Sequence, residues 1–118
     1  MKVTDEADVL VEALPYIQKF RNSIMVVKFG GSAMEDEELV RNTMRDIVML
    51  EAIGIRPVVV HGGGKAISAE LKQRGIPVRF VNGLRYTCEK TIGVVDEVLH
   101  KVNAHLVELG KEIGRAHV

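Results

Sequence analysis

Two glycine clusters and two cations carry the chemistry this sequence can offer. Gly30-Gly31-Ser32 follows an apolar run at Ile24 to Phe29, and Gly62-Gly63-Gly64 follows a second run at Pro57 to Val60 through His61. Turns without Cβ atoms let backbone N–H groups approach an anion closely, and where they open a helix its dipole adds to the attraction. Parallel sheets collect ligands beyond the carboxyl ends of their strands, where both clusters fall. Lys28 stands two residues before Gly30 among apolar neighbours, so its stem can be buried while its ammonium reaches the ligand end. A cation beside backbone donors suits phosphoryl transfer, in which catalysis is mostly positioning and neutralisation of charge on the equatorial oxygens. Arg85 adds a planar fork that fits a carboxylate or phosphate.

Each of these residues also has a plainer reading. Either glycine cluster alone is equally a tight turn, Lys28 a snorkelling lysine on an edge strand, and Arg85 a surface arginine. Asn82 is first a turn residue, although its amide can also contact a ligand. Lys65 at a helix start opposes the dipole; a nearby anion would explain it, and a solvated surface position is the simpler account. His61 reads as a packing or hydrogen-bonding histidine, and Cys88, with no argued partner to stabilise a thiolate, reads as inert. His100 and His105 are five apart, about 140° around a helix, so they form no metal pair, and no metal site is expected. Familiar nucleotide loops do not fit either. A P-loop needs glycine at position 59 and Ser or Thr at 66, where the chain has Val59 and Ala66; a dinucleotide fingerprint from Gly62 needs Gly or Ala at 67, which is Ile67.

The elements that must position these residues follow from periodicity. Thr4, followed by Asp5, Glu6 and Asp8, reads as the N-cap of a helix with Val9, Leu10, Ala13, Leu14 and Ile17 on one face, kinked or ended by Pro15. Ile24 to Phe29 reads as a buried strand of a parallel sheet. Val40, Met44, Ile47 and Val48 mark an amphipathic helix stopped by Gly54. A second buried strand spans Pro57 to Val60, and Ile67 and Leu71 define a helix closed by Gly75. Asn82-Gly83 between Val78–Val81 and Leu84–Thr87 signals a β-hairpin. Helical spacing resumes in Ile92, Val95, Val98, Leu99, Val102, Leu106 and Leu109 until Gly110 and Gly114, and Arg115 to Val118 suits the start of a further strand. Alternating strands and helices predict an α/β fold, a three-layer αβα sandwich with a mainly parallel sheet.

Composition narrows the function classes. At 118 residues, 13.1 kDa and 47% apolar content, the chain suits one domain that buries roughly two-thirds of its unfolded surface. One cysteine excludes an internal disulfide and favours a reducing, cytoplasmic setting. Sixteen Lys+Arg against sixteen Asp+Glu, with no Trp, argue against a nucleic-acid partner. No apolar stretch approaches ~18 residues, and residues 1–8 lack the pattern of a signal peptide, so no membrane partner is expected.

Taken together, Val26-Val27-Lys28-Phe29-Gly30-Gly31-Ser32-Ala33-Met34, Val58-Val59-Val60-His61-Gly62-Gly63-Gly64 and Phe80-Val81-Asn82-Gly83-Leu84-Arg85 closely resemble the acetylglutamate kinases of the amino acid kinase family. Glu12-Ala13-Leu14-Pro15-Tyr16-Ile17, within the amino-terminal helix segment 1–22, looks like the corresponding helix of arginine-sensitive members. Two positions depart from the family pattern: many members have proline where this chain has Lys65, and aspartate where it has Cys88. The resemblance implies ATP-dependent phosphorylation of the N-acetyl-L-glutamate γ-carboxylate, for arginine biosynthesis. It implies that Lys28 contacts the transferring phosphoryl group beside Gly30 and Gly31, that Gly62 and Gly63 receive the acetylglutamate side, and that Arg85 grips the α-carboxylate. It further implies that residues 1–118 form the acetylglutamate-binding, amino-terminal lobe, with the nucleotide lobe for ATP and Mg²⁺ absent. The chain alone is then expected to be noncatalytic. Two alternatives stand beside this reading: an acetylglutamate- or anion-binding module, and a regulatory or structural protein that forms a homo-oligomer or associates with a kinase homologue.

Overall fold

A computed structural model describes residues 2–115. Helix α1 (Val3–Glu12) starts one residue before the predicted cap, because Asp5 rather than Thr4 holds its end: the Asp5 carboxylate accepts the Lys2 N–H at 3.1 Å. The chain breaks at Ala13, and α2 (Leu14–Phe20) carries Pro15 in its first turn, where the missing N–H costs nothing. Strand β1 (Ile24–Phe29) has the predicted limits; β2 (Arg56–His61) is one residue longer at each end than predicted. Between them lie a 3₁₀ turn (Gly31–Met34) and α3 (Glu37–Ala52), capped by Asp36, whose side chain accepts from the Glu38 and Leu39 N–H groups. Helix α4 (Gly64–Gln73) follows, then the hairpin β3 (Phe80–Val81) and β4 (Leu84–Arg85), and finally α5 (Glu89–Arg115).

The two long strands pair in parallel, Ile24 opposite Arg56 through Phe29 opposite His61. This is an α/β fold built on a parallel strand pair. Its covered face presents Phe29 to Val40, Met44 and Ile47 of α3 and to Leu106 and Leu109 of α5, with Val27 and Val59 packed alongside. Both strands are apolar on both faces, which led to the expectation of full burial. Instead Ile24, Val26, Val58 and Val60 are 50–66% exposed. Of the three predicted layers, the described residues form the sheet and the helical layer on one face.

Helix α5 joins two cores. Its carboxyl-terminal half closes the sheet cluster, while Val94 and Val98 pack with Ile67 and Leu71 of α4. Its buried stripe differs from the predicted one at the start, where Thr91 and Val94 are buried and Ile92 is exposed. The helix also runs through Gly110 and Gly114 rather than ending at them. A Cβ at Gly110 would lie 3.3 Å from Met44 Cε, and one at Gly114 would lie 4.0 Å from Val48 Cγ1, so these positions serve the close approach of α5 to α3. The predicted strand at Arg115 to Val118 is replaced by helix at Arg115, and residues 116–118 lie outside the described residues. In the hairpin, Asn82 and Gly83 have φ of 52° and 79°, as a type I′ turn requires. Its predicted strands shorten because Val78 packs against the α4–α5 core instead of pairing.

Arg74 fastens α4 to α5, donating to Glu70 Oε1 at 2.8 Å and Glu97 Oε2 at 2.7 Å. Arg74 thereby holds the Glu97 carboxyl below its ordinary value. That clasp is therefore present above the unfolded carboxylate range and is lost as pH falls through the lowered folded value. Leu71 is fully buried, so Leu71→Ala should cost about 2–5 kcal/mol of stability in urea unfolding. Gly93 sits inside α5 with open space at its Cβ position, and Gly93→Ala should raise stability by about 0.5–1 kcal/mol in the same measurement.

Candidate functional site

The strand register brings the two glycine turns together. Lys28 is level with Val60 and Phe29 with His61, so both strands end at the same height. The Gly62 N–H donates to the Phe29 carbonyl at 3.1 Å, and a Cβ at Gly30 would lie 3.8 Å from the Gly62 nitrogen. Gly31 has φ of +64°, a left-handed conformation that suits glycine. Between the turns opens a cavity of about 600 Å³, lined by Gly31, Met34 and Glu35 on one side and Gly62, Gly63, Gly64 and Lys65 on the other.

The glycines differ in what requires them. At Gly63 a Cβ would meet Leu99 Cδ2 of α5 at 3.1 Å, so the helix explains this residue. At Gly62 a Cβ would meet nothing within 4 Å, and its φ is not in the left-handed range. Neither backbone strain nor a protein neighbour demands glycine there. The space it leaves belongs to the cavity.

Arg85 is anchored behind this turn. Its Nη2 donates to the Gly64 carbonyl and to Ser68 Oγ, both at 2.9 Å, and its guanidinium lies 4.8 Å from the centre of the Phe80 ring. Its Nη1 is buried and has no hydrogen-bond partner in the protein. Buried polar groups are almost always satisfied, and a carboxylate matches the guanidinium fork. One amino group of the fork is thus held by the protein and the other is buried without a protein partner, although Arg85 itself does not line the cavity.

Lys28 does not behave as expected. Its side chain is exposed on the uncovered face of the sheet, so its stem is not buried, and it is not among the residues lining the cavity. Lys65 is solvated as read from the sequence, and it also has its anion: Nζ lies 2.5 Å from Glu35 Oε1 across the cavity mouth. His61 Nδ1 contacts the Gly62 carbonyl at 3.0 Å, a hydrogen-bonding role at the strand end. His100 and His105 go to separate partners, the Asp96 carbonyl and Glu37. Among the described residues no three His, Cys, Asp or Glu side chains gather as a metal cluster would. Sequence reasoning missed Ser68 and Glu35. Ser68 carried a weak signal, lying one helical turn beyond Gly64; Glu35 carried none.

Comparison with known proteins identifies the family and the fold. The amino acid kinase family matches residues 23–116. The chain is 47% identical over 114 residues to an acetylglutamate kinase of Akkermansia muciniphila, covering 96% of this chain and 38% of that relative. It is 50% identical over 110 residues to an acetylglutamate kinase of Caldanaerobacter subterraneus, covering 92% of this chain and 37% of the relative. The chain therefore spans about two-fifths of the length of these curated relatives. Among solved structures, N-acetylglutamate synthase of Neisseria gonorrhoeae, complexed with coenzyme A and N-acetyl-glutamate, superimposes with a TM-score of 0.74 at 24% identity, over 88% of this chain and 24% of that one. The same enzyme complexed with coenzyme A and L-arginine gives 0.69 at 26% identity, over 83% and 23%.

The thiol of Cys88, which the sequence leaves without a partner, has one in the fold. It is exposed just before α5, with Sγ 3.3 Å from Thr91 Oγ1. The Thr91 hydroxyl first, and then backbone N–H groups of the helix start, hold its pKa below the ordinary thiol value. Thr91→Val removes the hydroxyl at nearly constant shape and should raise that pKa. Iodoacetamide alkylation of Cys88, followed by mass spectrometry at neutral pH, should then be slower in Thr91→Val than in the parent chain.

Proposed function

The chain belongs to the amino acid kinase family, and from that premise we propose that it is the acetylglutamate-binding lobe of an acetylglutamate kinase, acting in arginine biosynthesis in the cytoplasm. The unpartnered Nη1 of Arg85, buried behind a glycine turn that leaves empty space at Gly62, carries this reading. Both features fit a small carboxylate ligand.

In this reading Arg85 takes the α-carboxylate of N-acetyl-L-glutamate, and the backbone around Gly62 and Gly63 receives the acetylglutamate side. The γ-carboxylate is presented towards Gly30 and Gly31, where an oxygen attacks the γ-phosphorus of ATP in line, the bond to the β,γ-bridging oxygen breaks, and an acyl phosphate and ADP form. Backbone donors and the ammonium of Lys28 offset charge on the transferring group, in a reaction governed by positioning. ATP and Mg²⁺ supply the phosphoryl group and its neutralisation. This reading assigns the metal to no residue of the chain and takes the isolated 118 residues as a binding module.

Calorimetry with N-acetyl-L-glutamate should give heat for the parent chain and none for Arg85→Ala. Gly62→Ala should unfold at the parent temperature yet bind about tenfold more weakly, because the added methyl takes space that the ligand fills. Absence of heat at millimolar ligand would remove the proposal. With ATP and Mg²⁺ added, the isolated chain should show no turnover; turnover abolished by Lys28→Ala would overturn the noncatalytic reading.

We further infer association with a second copy or a kinase homologue through α1 and α2, whose Leu10, Leu14 and Tyr16 are 67%, 50% and 67% exposed. Light scattering should report a mass above 13.1 kDa that falls in Leu14→Glu. A strict monomer that also fails to bind an acetylglutamate kinase would reject it.

A further inference from the structure

We propose that Glu35 and Lys65 form an electrostatic strap across the cavity mouth, which an anionic substrate opens by replacing Glu35 on the Lys65 ammonium. The pair joins the two sides of the cavity. Glu35 belongs to the connection between β1 and α3, Lys65 to the first turn of α4, and both line the opening. Their charged atoms are 2.5 Å apart, with side chains 75% exposed for Lys65 and 43% for Glu35. An ion pair so solvated adds little to stability, which leaves its position as its consequence.

That position is unusual for a cation. The start of a helix disfavours positive charge, and Glu35 supplies the compensating anion. While the strap is closed, an incoming anion meets a carboxylate and finds the ammonium already taken. When the anion binds Lys65, one carboxylate is exchanged for another on the same group, so opening is reversible and weakened by salt. The neighbouring residue, Gly64, holds Arg85 through its carbonyl. A ligand with two anionic groups, one of them reaching the buried and unpartnered Nη1 of Arg85, can therefore engage Lys65 with the other, whereas a monoanion must choose between the two cations. Lys65 is thus a positioning residue for dicarboxylates and Glu35 the group that holds it in reserve. This inference rests on the binding role proposed above for the same cavity.

The test is amide chemical-shift titration of the ¹⁵N-labelled chain at Gly62 to Lys65, with N-acetyl-L-glutamate and, separately, inorganic phosphate. Glu35→Gln should bind both about three- to fivefold more tightly than the parent, the range of an exposed ion pair. Lys65→Met should bind more weakly, and Glu35→Gln should bring less gain in the Lys65→Met background, because the two groups act as one unit. Thermal unfolding should barely change in any variant. If the parent binds N-acetyl-L-glutamate and Glu35→Gln binds it no better, the strap is refuted and the binding role stands. If the parent ignores N-acetyl-L-glutamate but Glu35→Gln tightens phosphate binding, the strap stands and the substrate assignment fails. If neither anion shifts these amides in any variant, both are wrong.

Discussion

The parallel register of β1 and β2 is the constraint on which the site depends. Side chains alternate along a strand, so a slip of one residue would turn Phe29 from the core to the open face and bring Lys28 inward. The covered core forbids that slip, because Phe29 is locked among Val40, Met44, Leu106 and Leu109. With register fixed, Gly30 and Gly62 must leave the sheet side by side, and the Gly62 N–H is tied to Phe29. The cavity is thus a product of packing on the far side of the strands.

Helix α5 transmits the same constraint to the rest of the chain. Its two halves serve separate clusters, with Val102 packed against both. Between them it presses Leu99 onto the Gly63 turn, so the turn is held from the sheet side by Phe29 and from the helix side by Leu99. A loop restrained on both sides can keep its amides aimed without a ligand, which is the condition for recognising an anion at low entropic cost.

Much of this was legible in the sequence, for identifiable reasons. Continuous apolar runs ending in glycine located both strands, and Asn82-Gly83 located the hairpin, because these signals are local. The limits of α5 are not legible locally, because glycine reads as a helix stop whereas Gly110 answers to Met44, sixty-six positions away in sequence. Likewise Cys88 has no partner legible in the sequence, because its partner is Thr91, whose burial depends on the tertiary packing of α5. At the site, the residue types were legible and their contacts were not. Arg85 was a candidate from its chemistry, but the division of its fork between Gly64, Ser68 and an open side exists only after the hairpin folds back onto α4.

Lys28 shows how a role can depend on what covers a surface. Parallel strands are normally covered on both faces, and here Val26, Val58 and Val60 remain open around Lys28. A cation acting through solvent interacts with an anion 4 Å away by about 1 kcal/mol, and by about 4 kcal/mol at the lower effective dielectric near a protein surface. Arg85 already occupies a sheltered position, with one amino group buried, so a charge beside it is screened less than one beside Lys28. Lys28 gains comparable strength only when its apolar neighbours are covered. The two cations therefore differ by environment: Arg85 has one amino group sheltered by this fold alone, whereas any electrostatic strength of Lys28 grows with the burial of the face on which it stands.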